Sequence, residues 1–201
     1  MLRITAALLF LSPVLASAQC LTAADLDNGL TVEYGDGDLS YIERSETGNL
    51  VNAYYDLDSY SEFIYIFESH DGIFPVSRSG YIKGKWTKFS DVTNSYAFTP
   101  ASTADLNIGA TGYGSITESD FNYGDEDKKL AWSVYESDPL VVGDCSYDAV
   151  RVFTYITNIA NGDIVITELK FLPQLGVALS VGGGFFNKSP EEGTVVSLTS
   201  G

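Results

Sequence analysis

The chain has 201 residues, of which 27 are acidic and 11 are basic, so its formal net charge is −16. This balance argues against nucleic acid as a partner, since phosphate contacts need clustered lysine and arginine, and against docking on anionic lipid. With 45% hydrophobic residues, thirteen tyrosines and nineteen glycines, the composition is that of a strand-rich globular protein. We expect one β-rich domain with no transmembrane segment.

The first eighteen residues predict export. Arg3 precedes an apolar run over residues 4–15, and Ala16-Ser17-Ala18 follows as a small-residue cleavage site. This pattern is typical of a secretory signal peptide, and the apolar run is too short to span a bilayer. We expect residues 1–18 to be removed and residues 19–201 to form one domain in the periplasm or outside the cell.

The first half of the mature chain predicts an antiparallel meander. A helical turn over residues 21–26 precedes the strands, which are separated by turn residues. The predicted strands are 30–34, 39–44, 50–56, 61–68 and 73–82. Phe63, Tyr65 and Phe67 share one face of the fourth, with Ile64 and Ile66 on the other, so we expect it to be covered on both sides. Pro75 indicates an edge, a bulge or a bend.

The second half is less regular. Residues 85–89 are predicted to continue a strand, and the polar stretch 99–125 is predicted to be a partly ordered loop with short strands. Further strands are predicted at 130–136, 147–157, 163–172, 175–181 and 194–198, with Asn161-Gly162 as a hairpin turn. In the strand after that turn we expect Ile164, Val165 and Ile166 to be buried and Glu168 and Lys170 to be exposed.

These elements predict a mainly β protein. The fold class is an antiparallel meander that forms a curved sheet, a half-barrel or a barrel, with little helix. The pattern does not distinguish a barrel from a sandwich.

Two cysteines, Cys20 and Cys145, remain in the mature chain. An even count in an oxidising compartment favours a disulfide between them. The alternative is lipidation of Cys20, as in bacterial lipoproteins. The residue before a lipidated cysteine is normally small, and here it is Gln19.

No catalytic residue can be assigned from the motifs. His70 is the only histidine and lies in Ser69-His70-Asp71-Gly72, but the residues of a catalytic triad meet in space rather than along the chain. No G-x-S-x-G motif is present, so we interpret His70 as a turn residue. One histidine and two paired cysteines leave no ordinary zinc site, and the acidic turns do not fit a calcium-binding loop. We expect neither a metal nor another cofactor.

The most unusual charge feature is a basic cluster. Arg78, Lys83, Lys85 and Lys88 fall within eleven positions, and Trp86 lies among them. These five residues form a candidate anion or ligand patch with an aromatic platform. The alternative interpretation is a set of salt bridges to neighbouring acidic strands.

The chain resembles small, uncharacterised exported β-rich proteins of Gram-negative bacteria, particularly alphaproteobacteria. The shared features are the signal, the cysteine just after the cleavage site, and a closing pattern. That pattern runs from Cys145-Ser146-Tyr147-Asp148 to Phe171-Leu172-Pro173-Gln174-Leu175-Gly176. The resemblance implies a periplasmic address and carries over no functional residue.

Two function hypotheses follow. The preferred one is a non-enzymatic periplasmic binding or envelope-associated protein, whose curved sheet holds an apolar ligand or an envelope protein. The alternative is a secreted hydrolase that uses carboxylates of the acidic loops. An open apolar groove favours the first, and two close, buried carboxylates favour the second.

Overall fold

The computed structural model describes residues 20–56, 62–82, 87–185 and 191–201. The protein is mainly antiparallel β, with 64% of the described residues in strands and 5% in helix. The strands are β1 (Leu30–Tyr34), β2 (Leu39–Arg44), β3 (Leu50–Asp56), β4 (Phe63–His70), β5 (Phe74–Ile82), β6 (Thr87–Tyr96), β7 (Thr111–Asp120), β8 (Gly124–Glu136), β9 (Leu140–Val142), β10 (Cys145–Tyr147), β11 (Val150–Asn158), β12 (Ile164–Leu172), β13 (Val177–Phe185), β14 (Glu191–Glu192) and β15 (Val195–Ser200). Short 3₁₀ helices cover Ala23–Asn28 and Thr103–Asp105.

One antiparallel sheet contains every described strand except β9 and β10, which form a hairpin of their own. Strands β1 to β8 are neighbours in chain order, and β11, β12 and β13 continue the sheet after β8. The last segment joins the two edges, because β14 pairs with β13 and β15 pairs with β1. Between them Gly193 N donates to the Val181 carbonyl at 2.8 Å, and Gly35 N donates to the Thr194 carbonyl at 2.7 Å. The result is a nearly closed, barrel-like sheet, which confirms the predicted fold class.

The β12–β13 pair separates two clusters of buried side chains. Successive strand residues point to opposite faces, so Leu172 packs in the first cluster and Phe171 in the second. The first cluster also holds buried residues of β1 to β3, namely Leu30, Val32, Tyr34, Ile42 and Leu50. The second holds buried residues of β5, β7, β8 and β11, namely Phe74, Ile116, Leu130, Trp132, Val134 and Val152.

A disulfide holds the N-terminal segment on the β9–β10 hairpin. Cys20 is bonded to Cys145, with their Cα atoms 5.4 Å apart, which confirms the predicted pairing. Beside the bond, Leu21 N donates to the Tyr147 hydroxyl at 3.0 Å. Leu26 of the first 3₁₀ helix is fully buried in the first core cluster. The predicted strand 147–157 covers residues of two strands, because Tyr147 ends β10 of this hairpin and β11 begins at Val150.

The prediction of a loop with short strands over 99–125 is wrong in its main part. The second 3₁₀ helix is followed by the ten-residue strand β7, and β8 begins at Gly124. Two glycines interrupt the alternation of β7 in the sequence. Gly112 lies under the Trp132 ring and Gly114 under the Phe98 ring. A Cβ atom at either position would collide with the ring, so the bare backbone is needed for packing.

The burial prediction for β12 is also wrong. Val165 is 38% exposed, and Ile164 and Ile166 are half-buried. The buried residues lie at the other end of the strand, where both core clusters contact it. Glu168 is half-buried and pairs with Arg151, whose Nε lies 3.2 Å from Glu168 Oε1. Alternation marked the two faces of the strand but not how far the core extends along it.

Two register shifts shape β5. Ser69 of β4 pairs with Pro75 at a β-bulge. A bulge is one of the three features that Pro75 indicated, and it accommodates the proline in an interior strand. A second shift separates Gly80 from Tyr81 and leaves Phe89 of β6 as the extra residue. The Phe89 ring lies over Gly80, where a Cβ atom would collide with it.

Candidate functional site

The face of β4 that carries Phe63, Tyr65 and Phe67 continues the face that forms the first core cluster. Tyr65 pairs with Tyr54 of the neighbouring strand β3. Tyr54 packs edge-on against the buried Tyr34, with ring centres 6.3 Å apart. The prediction that β4 is covered on both sides is confirmed only in part. Ile64 on the other face is buried, whereas Ile66 on that face and the three rings on this one are half-buried.

Four rings make up what we call the aromatic face, namely those of Phe63, Tyr65, Phe67 and Phe89. Along β4 the ring centres are 6.1 Å apart for Phe63 and Tyr65 and again for Tyr65 and Phe67. Phe89 lies edge-on to two of them, at 5.4 Å from Phe63 and 5.9 Å from Tyr65. Phe89 is 39% exposed, so the cluster reaches solvent at this ring.

Polar groups border the aromatic face. Arg78 and Asn52 are the two cross-strand partners of Phe67, and Ser90 is the partner of Gly80, so their side chains share its face. Arg78 is exposed and forms no ion pair with any residue in the described ranges. Asn52 Oδ1 and Ser90 Oγ are buried without a hydrogen-bond partner. The sequence pattern singles out neither Asn52 nor Ser90, because only the strand register brings them here.

The structure divides the predicted basic patch. Lys88 pairs with Tyr81 on the face of the sheet opposite to Arg78, and its Nζ lies 2.6 Å from Asp91 Oδ2. This hydrogen bond raises the pKa of the lysine and lowers the pKa of Asp91. Lys88 therefore forms a salt bridge, as the alternative interpretation predicted. Of Arg78 and Lys88, only Arg78 borders the aromatic face. Lys83, Lys85 and Trp86 lie outside the described residues.

A buried carboxylate marks the boundary between the aromatic face and the first core cluster. The Tyr54 hydroxyl donates to Asp38 Oδ2, and Asp38 is 7% exposed. Burial, reinforced by this hydrogen bond, raises the pKa of Tyr54, and burial likewise raises the pKa of Tyr34. Both shifts favour the neutral phenol.

Ser69, His70 and Asp71 do not assemble into a catalytic triad. His70 Nδ1 lies 2.9 Å from Asn49 Oδ1, and Asn49 Nδ2 donates to Glu68 Oε1 at 2.7 Å. The Ser69 hydroxyl donates to a backbone carbonyl of β3 at 3.4 Å. The Asp71 carboxylate accepts from a backbone N–H of the second 3₁₀ helix at 3.1 Å. Each side chain thus has a separate structural partner.

Two neighbouring carboxylates share one lysine. Glu118 of β7 pairs with Glu126 of β8, and Lys128 Nζ forms an ion pair with Glu118 and lies 3.6 Å from Glu126 Oε2. Asn158 Nδ2 also donates to Glu126 at 2.9 Å. In the described ranges no group of three or more His, Cys, Asp or Glu side chains is placed to hold a metal ion.

Neither described 3₁₀ helix has the length or apolar character needed to cross a lipid bilayer. Comparison of the chain with protein-family models, with curated proteins and with solved structures finds no match.

Proposed function

We propose that the protein is a non-enzymatic binding protein whose aromatic face holds an apolar ligand with an acidic group, such as a long-chain fatty acid. One observation carries the proposal: three half-buried rings and the exposed Phe89 continue a core-forming face, and the exposed Arg78 borders them. Contiguous exposed apolar surface with a few polar groups is typical of ligand sites.

Each part of such a ligand has a counterpart on this face. A hydrocarbon chain that covers the rings gains about 25 cal/mol for each Å² of apolar surface removed from water. The Arg78 guanidinium can bind a carboxylate through two parallel hydrogen bonds. A local cation is needed because the net charge of −16 repels an anion at longer range.

We also infer that the protein works after export, as a periplasmic or envelope-associated protein. The signal pattern of residues 1–18 supports this address. The Cys20–Cys145 disulfide supports it as well, because such bonds persist in oxidising compartments. The resemblance to exported β-rich proteins of Gram-negative bacteria points the same way.

The geometry gives less support to a carboxylate-dependent hydrolase. Glu118 and Glu126 surround Lys128, which is the arrangement of a structural ion-pair network. A general acid is normally placed in apolar surroundings that favour its protonated form.

The test is calorimetric titration of the exported protein with oleate and with oleyl alcohol, which lacks the acidic group. We expect oleate to bind more tightly. Arg78→Gln should weaken oleate binding about tenfold, the usual effect of losing a charge-assisted hydrogen bond, and leave the alcohol unaffected. Phe67→Ala should weaken both ligands.

Lys88→Gln is the matched control, because it removes a charge from the opposite face of the same strand pair. Thermal melts of each variant check folding. The proposal fails if neither ligand binds, or if the Arg78 and Lys88 variants change oleate affinity equally.

A further inference from the structure

The outer face of β7, β8 and β11 carries an open groove of about 610 Å³. Ala131 and Ser133 of β8 form its floor. Tyr113 and Tyr155 pair with Ala131 from the two sides and form its walls, and Tyr135 stands at one end. Because the walls belong to strands on either side of β8, their backbones are about 10 Å apart, which leaves room for one ring-sized layer of ligand. We call this site the tyrosine groove.

Tyr155 and Tyr135 pack against a neighbouring ring, and all three tyrosines of the groove are amphipathic. The Phe153 ring stacks against Tyr155 with centres 6.3 Å apart and meets Tyr135 edge-on at 5.7 Å. Each tyrosine presents an apolar ring with a hydroxyl at its rim. Such a side chain suits a surface that is apolar in one part and wet in another.

The floor contains an unsatisfied polar group. Ser133 is 9% exposed, and its Oγ is buried without a hydrogen-bond partner. Buried polar atoms normally have hydrogen-bond partners, so the lone Ser133 hydroxyl favours a ligand that supplies one. A hydroxyl ligand suits it best, because it can both donate to and accept from a serine.

None of the residues that line the groove is charged, and the exposed Lys129 lies on the same face of β8, two residues from Ala131. Arg151, the cross-strand partner of Tyr135, is paired with Glu168, the partner of Phe153. The net charge of −16 also opposes polyanions. A lipid chain would leave the tyrosine hydroxyls and Ser133 without partners, which is unfavourable.

We propose that the tyrosine groove binds a neutral oligosaccharide. The C–H faces of sugar rings pack on the tyrosine rings, and the sugar hydroxyls bond to the phenols and to Ser133. The volume lies within the range of small-molecule sites. A proline-rich peptide is the competing occupant, because such peptides dock in aromatic grooves, but it offers carbonyl acceptors and few donors.

The experiment is calorimetric titration of the exported protein with maltohexaose, cellohexaose and chitohexaose at millimolar concentration. We expect one of them to bind, and Tyr113→Ala to weaken binding about tenfold, as loss of an aromatic anchor does. Tyr123→Ala is the matched control, because Tyr113 is 88% exposed and Tyr123, in the β7–β8 turn, is 84% exposed.

Ser133→Ala separates a binding role from a structural one. It should weaken the sugar several-fold without lowering the melting temperature, since it removes a hydroxyl that has no partner in the free protein. Arg78→Gln should leave sugar binding unchanged, which keeps this result independent of the fatty-acid proposal. Three outcomes overturn the inference: no hexaose binds, the Tyr113 and Tyr123 variants behave alike, or a decaproline peptide binds in the groove instead.

Discussion

Replacing Cys145 by serine is predicted to lower stability mainly through the unfolded chain. The disulfide joins residues 125 positions apart, and closing a loop of that length removes up to about 5 kcal/mol of chain entropy from the unfolded state. Measured disulfides typically contribute about 2–4 kcal/mol. For a domain of this size each kcal/mol shifts the melting temperature by about 2–4 °C, so we expect a decrease on the order of 10 °C.

In the folded protein the two cysteines differ in burial. Cys145 is 8% exposed and packs in the first core cluster, whereas Cys20 is exposed. A serine hydroxyl at position 145 must therefore be buried, and Cys145→Ser should cost more than Cys20→Ser by about the 1–3 kcal/mol of an unsatisfied polar group. Both variants should release the N-terminal segment with Leu26, which would become accessible to proteinase K.

Calorimetry of the oxidised protein, of the reduced protein and of both variants measures these differences. Thiol titration of denatured, unreduced protein checks the bond itself. Two free thiols would rule the disulfide out, and one would indicate a modified Cys20. If the bond is present but reduction leaves the melting temperature unchanged, the chain-entropy reasoning is wrong.

Three further predictions concern packing and charge. Leu179→Ala, at a site 1% exposed, should lower the free energy of unfolding by about 2–5 kcal/mol in urea titrations. Val141→Ala, at a site 64% exposed, should change it by less than about 0.5 kcal/mol, and equal effects would contradict the assigned core. Gly80→Val should cost about 1–3 kcal/mol, because its side chain meets the Phe89 ring, and a neutral result would contradict this packing. The neighbouring lysine lowers the pKa of Asp91, so its contribution is present above the ordinary carboxyl pKa and lost as pH falls through the lowered value. Thermal melts of Asp91→Asn should therefore show a shallower loss of stability in acid than the parent protein, and identical acid profiles would count against the pair.

The sequence by itself determined the β class and the most regular strands. The predicted ranges 30–34, 39–44 and 50–56 coincide with β1, β2 and β3. Apolar alternation with a period of two and glycine turns are local signals, so they can be read without knowing the neighbours. The disulfide was predictable as well, because two cysteines allow only one intramolecular pair.

Only the tertiary structure decided which faces are covered. Alternation showed that Phe63, Tyr65 and Phe67 share a face, but not that this face is only partly covered. The bulge between Gly80 and Tyr81 set Arg78 and Lys88 on opposite faces, although the sequence grouped them. Three strands form the tyrosine groove. Its walls, Tyr113 and Tyr155, are 42 residues apart in the chain, so no local sequence pattern predicts it. Register and curvature arise from hydrogen bonds between residues far apart in the chain, and a slip of one residue would exchange the two faces.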